Sequence, residues 1–97
     1  MSKTLKPTHP GSILLEGIED NRLNVKRVAE DIQVPTSTLY AVVRGQRSVS
    51  PKLALKLGRY FGTTPEYWIN LQVDYDLRLA KQSMAKSLKR IPVFHAA

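Results

Sequence analysis

The sequence contains no cysteine, which excludes a disulfide framework and a thiolate metal site and suits a reducing cytoplasm. Its two histidines, His9 and His95, lie at opposite ends of the chain, too few for a metal site without carboxylate help. It shows no glycine-rich phosphate loop, catalytic triad or internal repeat. The longest apolar run, residues 39–43, is too short to cross a membrane, and no signal peptide is recognisable. We therefore expect a cytoplasmic protein that is not an enzyme and holds no metal or cofactor.

Basic residues are in excess and unevenly distributed. The 97 residues carry a net charge of +7, which favours a polyanionic partner. Between Arg22 and Arg59 there are eight basic residues and two acidic ones, whereas residues 1–21 and 60–80 are both net negative. A second basic group lies near the C-terminus, at Lys81, Lys86, Lys89 and Arg90. The length predicts one domain with a modest core, and the positive charge is centred on residues 22–59.

Two short helical patterns lie within this basic stretch, separated by three or four residues. In the first, Asn24 is the expected N-cap, and a stripe of apolar side chains follows: Val25, Val28, Ala29 and Ile32. The second begins near Pro35, and its apolar face is Leu39, Val42 and Val43. Helices this short, joined by so tight a turn, should cross steeply, as in the helix-turn-helix whose second helix enters the DNA major groove. A small helical bundle without DNA-binding activity is the alternative interpretation.

Three further helices complete an all-α domain. Pro10 is suited to the first turn of a helix ending near Asp20, and Ser50-Pro51 opens another that Gly62 ends. The last helix is predicted from Glu66 to about Gln82. The chain therefore divides into an N-terminal arm (1–9), a helix-turn-helix domain (10–82) and a C-terminal extension (83–97) that is basic and then apolar.

The last helix carries two apolar stripes, one more than a domain of this size needs. The first stripe is Trp68, Leu71, Tyr75 and Leu79, and the second is Ile69, Val73, Leu77 and Ala80. We expect the Trp68 stripe to face the core, because an exposed Trp is costly. Ile69, Val73 and Leu77 then form a homodimer interface, with Phe94 of the extension folded over it. A single broad core face is the alternative.

Candidate DNA-binding residues follow from their positions on these helices. Base-reading is expected from exposed residues of the second helix of the motif: Thr36, Ser37, Thr38, Tyr40 and Arg44. Phosphate contacts are expected from residues at the ends of flanking elements: Lys26, Arg27, Gln46, Arg47 and Lys52. Arg27 has an alternative role, since Glu30 and Asp31 on its own helix are within reach of an ion pair. Gly45 is placed to end the second helix in a left-handed conformation.

Several stretches resemble the HigA family of antitoxins, which belong to the lambda-repressor-like helix-turn-helix class. They are HPGSILLE (9–16), the helix-turn-helix core, RGQRSVS (44–50) and, most specifically, LGRYFGTTPEYWINLQVDYDLRLA (57–80). The resemblance covers residues 8 to about 82 and implies a five-helix DNA-binding domain that dimerises. It further implies binding to a palindromic double-stranded operator ahead of the protein's own toxin–antitoxin genes, and neutralisation of a HigB-type mRNA-cleaving toxin.

Two positions depart from the pattern of that family. Many relatives have at position 25 a Gln that reaches a phosphate, whereas this chain has Val25. The turn position that is often Gly is Gln33, so its backbone either avoids positive φ or adopts it at a cost. Two other functions remain open from the sequence: a free-standing repressor without a toxin, and a protein-interaction module that binds an acidic partner.

Overall fold

The computed structural model describes residues 7–96, which form five α-helices and, over that range, no strand. The helices are α1 (Pro10–Asp20), α2 (Val25–Ile32), α3 (Thr36–Val43), α4 (Pro51–Phe61) and α5 (Pro65–Leu88). The prediction of an all-α, five-helix domain is therefore confirmed. Most of the N-terminal arm lies outside the described residues. None of the described helices is long and apolar enough to cross a membrane.

Local sequence signals determine where the helices begin. The side chain of Asn24 accepts a hydrogen bond from the Arg27 amide at the start of α2 (2.8 Å). Ser50 caps α4 in the same way through the Leu53 amide (3.1 Å). These side chains satisfy amides that have no partner within the helix, so both predicted helix starts are confirmed.

The core lies where α1, α2 and α3 meet the α4–α5 pair. The largest side chains with essentially no exposure are Leu14, Ile18, Val28, Leu39, Val42 and Leu57. Trp68 of α5 closes the core from the other side with 4% exposure. Its indole Nε1 donates to Thr63 Oγ1 at 2.8 Å, so its polar group is satisfied. The expectation that the Trp68 face of α5 points inward is correct at this residue.

Helix α5 is longer than the sequence pattern predicts, and its two stripes are only partly separated. It continues past Gln82 to Leu88, because residues 83–88 contain no Gly or Pro and are mostly good helix formers. Leu79, expected inside, is 40% exposed, whereas Ile69, expected at an interface, packs partly against its own core. The projecting helix raises the Cα radius of gyration to 16.8 Å, compared with about 13 Å for a compact chain of this length.

The C-terminal extension does not cover this surface within its own chain. Phe94 is 87% exposed and Val93 is 74% exposed. The expectation that Phe94 folds over α5 is therefore not met within one subunit, because residues 91–96 form an exposed segment without regular secondary structure.

Gly11 in α1 is required by a close backbone contact with α3. A Cβ at this position would clash with the Val42 carbonyl oxygen and lie 2.9 Å from the Val43 Cα. We expect Gly11→Ala to lower the free energy of unfolding by about 1–3 kcal/mol, the usual range for overpacking. Urea denaturation measures this change.

Gly17 on the same helix provides the matched control. A Cβ there would meet nothing within 4 Å, so Gly17→Ala should raise stability by about 0.5–1 kcal/mol through reduced backbone entropy in the unfolded state. Equal effects of the two substitutions would contradict the close contact at Gly11.

Candidate nucleic-acid interface

The turn between α2 and α3 depends on a non-glycine residue in the left-handed region. Gln33 has φ 63° and ψ 50°, so this chain accepts the conformation at a modest energetic cost. The Val34 amide donates to the Ala29 carbonyl (3.0 Å) and closes the turn. Lys56 of α4 donates from Nζ to the Gln33 carbonyl (3.0 Å). The turn is thus held by α4 as well as by its own backbone.

The outer face of α3 presents a polar row. Ser37, Tyr40 and Arg44 are exposed at helical spacing, while Thr36, Thr38 and Ala41 are half-buried beside them. The Arg44 guanidinium lies 5.1 Å from the centre of the Tyr40 ring, a cation–π distance. Tyr40 and Arg44 therefore form one unit, in which the ring supports the charged group.

A cleft of about 150 Å³ separates α3 from the start of α4. Its lining includes Thr38, together with five further groups able to donate to an anion: Arg47, Ser48, Ser50, Lys52 and Lys56. Two of the predicted phosphate-binding residues, Arg47 and Lys52, are thus brought together on one side of α3. Thr38, assigned to base-reading, lines the same cleft as these two residues.

The basic loop after α3 has a defined backbone. Gly45 adopts φ 75°, as predicted. Its amide donates to the Val42 carbonyl (3.0 Å), and the Gln46 amide donates to the Ala41 carbonyl (2.9 Å), which is the Schellman pattern of a helix end. This arrangement leaves Gln46 and Arg47 exposed, where a phosphate can approach.

His9, at the start of α1, and Gln72, on α5, contact the two ends of this loop. His9 Nδ1 caps α1 by accepting from the Gly11 amide (2.8 Å). The Gln72 side chain accepts from the Val49 amide (2.8 Å).

Burial lowers the pKa of His9, and the Asp76 carboxylate opposes this in part. Because the pKa is lower in the folded protein, protonation of His9 opposes folding, and stability is lost as pH falls from the ordinary histidine pKa through the lowered one.

The two basic residues at the start of α2 differ in their surroundings. Lys26 is exposed, whereas Arg27 Nε lies 2.9 Å from Asp31 Oδ2. The same oxygen accepts from the Tyr60 hydroxyl of α4 at 2.6 Å. The Tyr60 bond, and then Arg27, hold the pKa of Asp31 below its ordinary value. Of the alternatives considered for Arg27, the ion pair with Asp31 is the one formed in the free protein.

One face of α5 exposes apolar side chains along its length. Val73 and Leu77 are 56% and 51% exposed. Met84 and Leu88 follow at helical spacing on the same face and are also exposed. The predicted interface residues Val73 and Leu77 therefore belong to a longer stripe, which Ile69 does not share because it packs partly on its own core.

Sequence reasoning missed three residues that position the site: His9, Lys56 and Gln72. Two had usable signals. Gln72 lies four residues after Trp68 and three before Tyr75, so a polar residue occupies a position on the buried stripe. His9 directly precedes Pro10, the first residue of α1, and so occupies the N-cap position. Lys56 had no local signal, because its partner is 23 residues away.

The helix-turn-helix family model HTH_3 matches residues 18–68. The antitoxin HigA-1 of Vibrio cholerae is 35% identical over 99 residues, covering 97% of this chain and 91% of that protein. The chain belongs to the HigA family of antitoxins. A HigA-family antidote protein from Coxiella burnetii has a similar structure, with a TM-score of 0.87 and 34% identity over 94% of this chain and 100% of that one.

A second HigA structure was solved with DNA. The antitoxin HigA of Pseudomonas aeruginosa, solved with the higBA promoter, has a TM-score of 0.85 and is 34% identical over 90% of this chain and 96% of that chain. These relationships confirm the prediction of a HigA-family, DNA-binding helix-turn-helix antitoxin and place it in a family of regulators, not enzymes.

The Tyr60–Asp31–Arg27 cluster makes the pKa of Asp31 testable. Tyr60→Phe removes the hydrogen bond that lowers this pKa most, so the pKa of Asp31 should rise toward its ordinary value. Because a lowered carboxyl pKa contributes stability that is lost as pH falls through it, the variant should show a weaker decline of stability at acid pH. Carboxyl ¹³C NMR titration measures the pKa.

Arg27→Gln provides the comparison, since Arg27 lowers the pKa of Asp31 both through its hydrogen bond and through its charge. The pKa of Asp31 should rise in this variant also. An Asp31 pKa that is unchanged in Tyr60→Phe would contradict the hydrogen bond.

Proposed function

We propose that this protein is the autorepressing antitoxin of a type II toxin–antitoxin pair. It binds a palindromic operator ahead of its own genes as a homodimer in the cytoplasm, and it neutralises a HigB-type mRNA-cleaving toxin by direct binding. The observation that carries the DNA-binding part is the exposed polar face of α3 with basic residues on both sides. Membership of the HigA family supports the toxin partner.

The face of α3 has the properties that major-groove binding requires. Its exposed row combines a hydroxyl at Ser37 with the Tyr40–Arg44 unit, and the small Ala41 allows the helix to approach a base edge closely. Arg44 is long enough to donate to a guanine or a phosphate. We assign base-reading to this face, with Thr36 and Thr38 at its beginning.

Phosphate binding is assigned to residues flanking α3. Arg47 and Lys52 border the cleft beside Thr38, while Lys26 is exposed at the start of α2 and Gln46 lies in the loop after α3. These groups are on separate elements, so together they fit an extended backbone. Arg27 joins them once DNA competes with Asp31 for its guanidinium.

The homodimer is assigned to the exposed stripe of α5. A single helix-turn-helix reads too few base pairs to select one operator, whereas two α3 helices about 34 Å apart read successive major grooves. Val73 and Leu77 form the centre of this interface, and Met84 and Leu88 extend it. Ile69 contributes at its edge.

The proposal is tested first by binding of the protein to its own promoter. Fluorescence anisotropy with promoter DNA and with a scrambled duplex, over a series of salt concentrations, separates specific from non-specific binding. Equal affinity for the two duplexes would contradict sequence-specific repression. Co-expression with the neighbouring toxin gene tests the antitoxin activity, which requires a stable complex and restored growth.

Substitutions on α3 should relax sequence specificity. We expect Thr38→Ala and Tyr40→Ala each to reduce discrimination by about 1–3 kcal/mol at one base pair, the usual value of a good base contact. Tyr40→Phe removes the hydroxyl but keeps the ring beneath Arg44. It therefore distinguishes a loss of specificity caused by the missing hydroxyl from one caused by the missing support of the guanidinium. Binding to a library of single-base operator variants measures each effect.

Arg47→Ala is the contrasting variant. It should weaken every sequence alike and make the log–log salt slope shallower by about 1. A change in which sequence is preferred would show that Arg47 reads a base, and a uniform loss in Thr38→Ala would reassign Thr38 to a phosphate.

Replacing Val73 and Leu77 together by Asp should give a folded monomer. The packing of Trp68 in the core is untouched, but carboxylates cannot be buried in an apolar interface without a partner. Operator affinity should fall at least about a hundredfold, because one half-site contributes half of the contacts. Sedimentation measures the mass and circular dichroism the helix content.

Leu55→Asp is the control for this experiment. Leu55 is an exposed leucine on α4, away from the stripe (59% exposed), so its replacement should leave the dimer and its affinity intact. A dimeric Val73→Asp/Leu77→Asp variant would place the interface elsewhere, and an unfolded one would assign these residues to the core.

A further inference from the structure

Gln72 makes a buried hydrogen bond to the DNA-facing loop, which is the basic loop of residues 44–49 after α3. Among residues 7–96 it is the one polar side chain that is buried, with 5% exposure. Its Oε1 accepts from the Val49 amide at 2.8 Å, and its Nε2 donates to Asp76 Oδ1 at 2.9 Å. Val49 is itself 3% exposed, so without Gln72 a buried amide would lose its partner. The bond fixes the end of the loop to α5.

His9 holds the beginning of the same loop. Its ring lies edge-on to Tyr75 of α5, with 4.8 Å between ring centres. A Cβ built on Gly45 would lie 3.6 Å from the His9 ring carbon Cγ, so the ring also packs against the Gly45 backbone. His9 thus fills the space between α5 and the residue that ends α3.

The two contacts lie on either side of the candidate phosphate-binding residues. His9 and Gln72, with Gln46 and Arg47, line a cleft of about 240 Å³ between the loop and α5. Gln46 and Arg47 are exposed, and no ion pair among the described residues involves Arg47. The position of its guanidinium therefore depends on how firmly the backbone on both sides is held.

We propose that Gln72 and His9 are positioning residues for DNA binding, which hold the loop of residues 44–49 against α5 so that Gln46 and Arg47 meet the phosphate backbone. The proposal rests on the proposed function and adds to it residues that touch no DNA. A loop held in advance loses little conformational freedom when the complex forms, so it binds more tightly than a loop that must be ordered.

Gln72→Met tests the first contact, because Met has a similar shape and cannot accept the Val49 amide. We expect the hydrogen exchange of the Val49 amide in the free protein to accelerate at least about tenfold. Affinity for the operator and for a scrambled duplex should both fall about tenfold, with a salt slope shallower by about 1. The dimer mass and the helix content should not change.

Gln82→Met is the matched control, since Gln82 is an exposed glutamine on the same helix. It should leave the exchange rate and the affinity unchanged. The double variant Gln72→Glu with Asp76→Asn provides an acceptor for the Val49 amide and reverses the second bond, so that the new amide at position 76 donates to the carboxylate at position 72. It should recover slow exchange and most of the affinity, which a general loss of core packing would not allow.

His9→Ser tests the second contact. Serine retains an N-cap acceptor for the Gly11 amide but removes the ring from between Gly45 and Tyr75. Operator affinity should fall about tenfold while sequence preference stays the same. An affinity equal to that of the wild type would overturn the role of His9, and a changed preference would assign it a base contact instead.

The outcomes separate this proposal from the proposed function. If Gln72→Met leaves the Val49 exchange rate unchanged, or accelerates it without weakening DNA binding, the positioning role is overturned. If the wild-type protein does not prefer its own promoter, the proposed function fails. The Val49 exchange rate in the free protein then still decides whether Gln72 holds the loop.

Discussion

The close approach of Gly11 in α1 to the Val42 carbonyl of α3 determines where α3, the second helix of the helix-turn-helix, lies. The space between the two backbones admits a hydrogen atom and excludes a methyl group. Helix α3 has only eight residues, and a helix of that length has little stability of its own in water. Its direction is therefore set by this contact and by the burial of Leu39 and Val42 beneath it. Any shift of α1 would move the whole DNA-facing surface.

Hydrogen bonds to backbone groups, and not ion pairs, hold this surface in place. The Gly11 amide is capped by His9, and the Val49 amide by Gln72. Within residues 7–96 the two ion pairs are Arg27–Asp31 and Arg78–Asp74, both with exposed partners, and surface pairs of this kind contribute little. The remaining cations near α3 are thus free of intramolecular carboxylates. A polyanion can bind them without first breaking an internal salt bridge.

Local signals made most of the fold predictable. Asn24, Ser50, Gly45 and Gly62 act on neighbouring residues in the chain, so a single sequence reveals the helix ends that they define. The site was harder to predict from the sequence, because the contacts that hold it are long-range: Gln72 and Val49 are 23 residues apart. The end of α5 was misplaced since its apolar pattern weakens after Gln82 although its helix propensity does not. The left-handed backbone at Gln33 could be stated only as an alternative, because tertiary contacts such as the one from Lys56 decide it.

Helix α5 connects the core, the exposed stripe and the DNA-facing loop. Its 24 residues span about 36 Å, more than the small core can cover, so its second half is exposed. Gln72 and Val73 are consecutive, which places the bond to the loop and the start of the exposed stripe about 1.5 Å apart along the helix axis. Because a helix is stiff over one turn, the geometry of two paired α5 helices would be passed directly to the two loops. A dimer built on this stripe would therefore fix the spacing between the two α3 helices without any flexible linker.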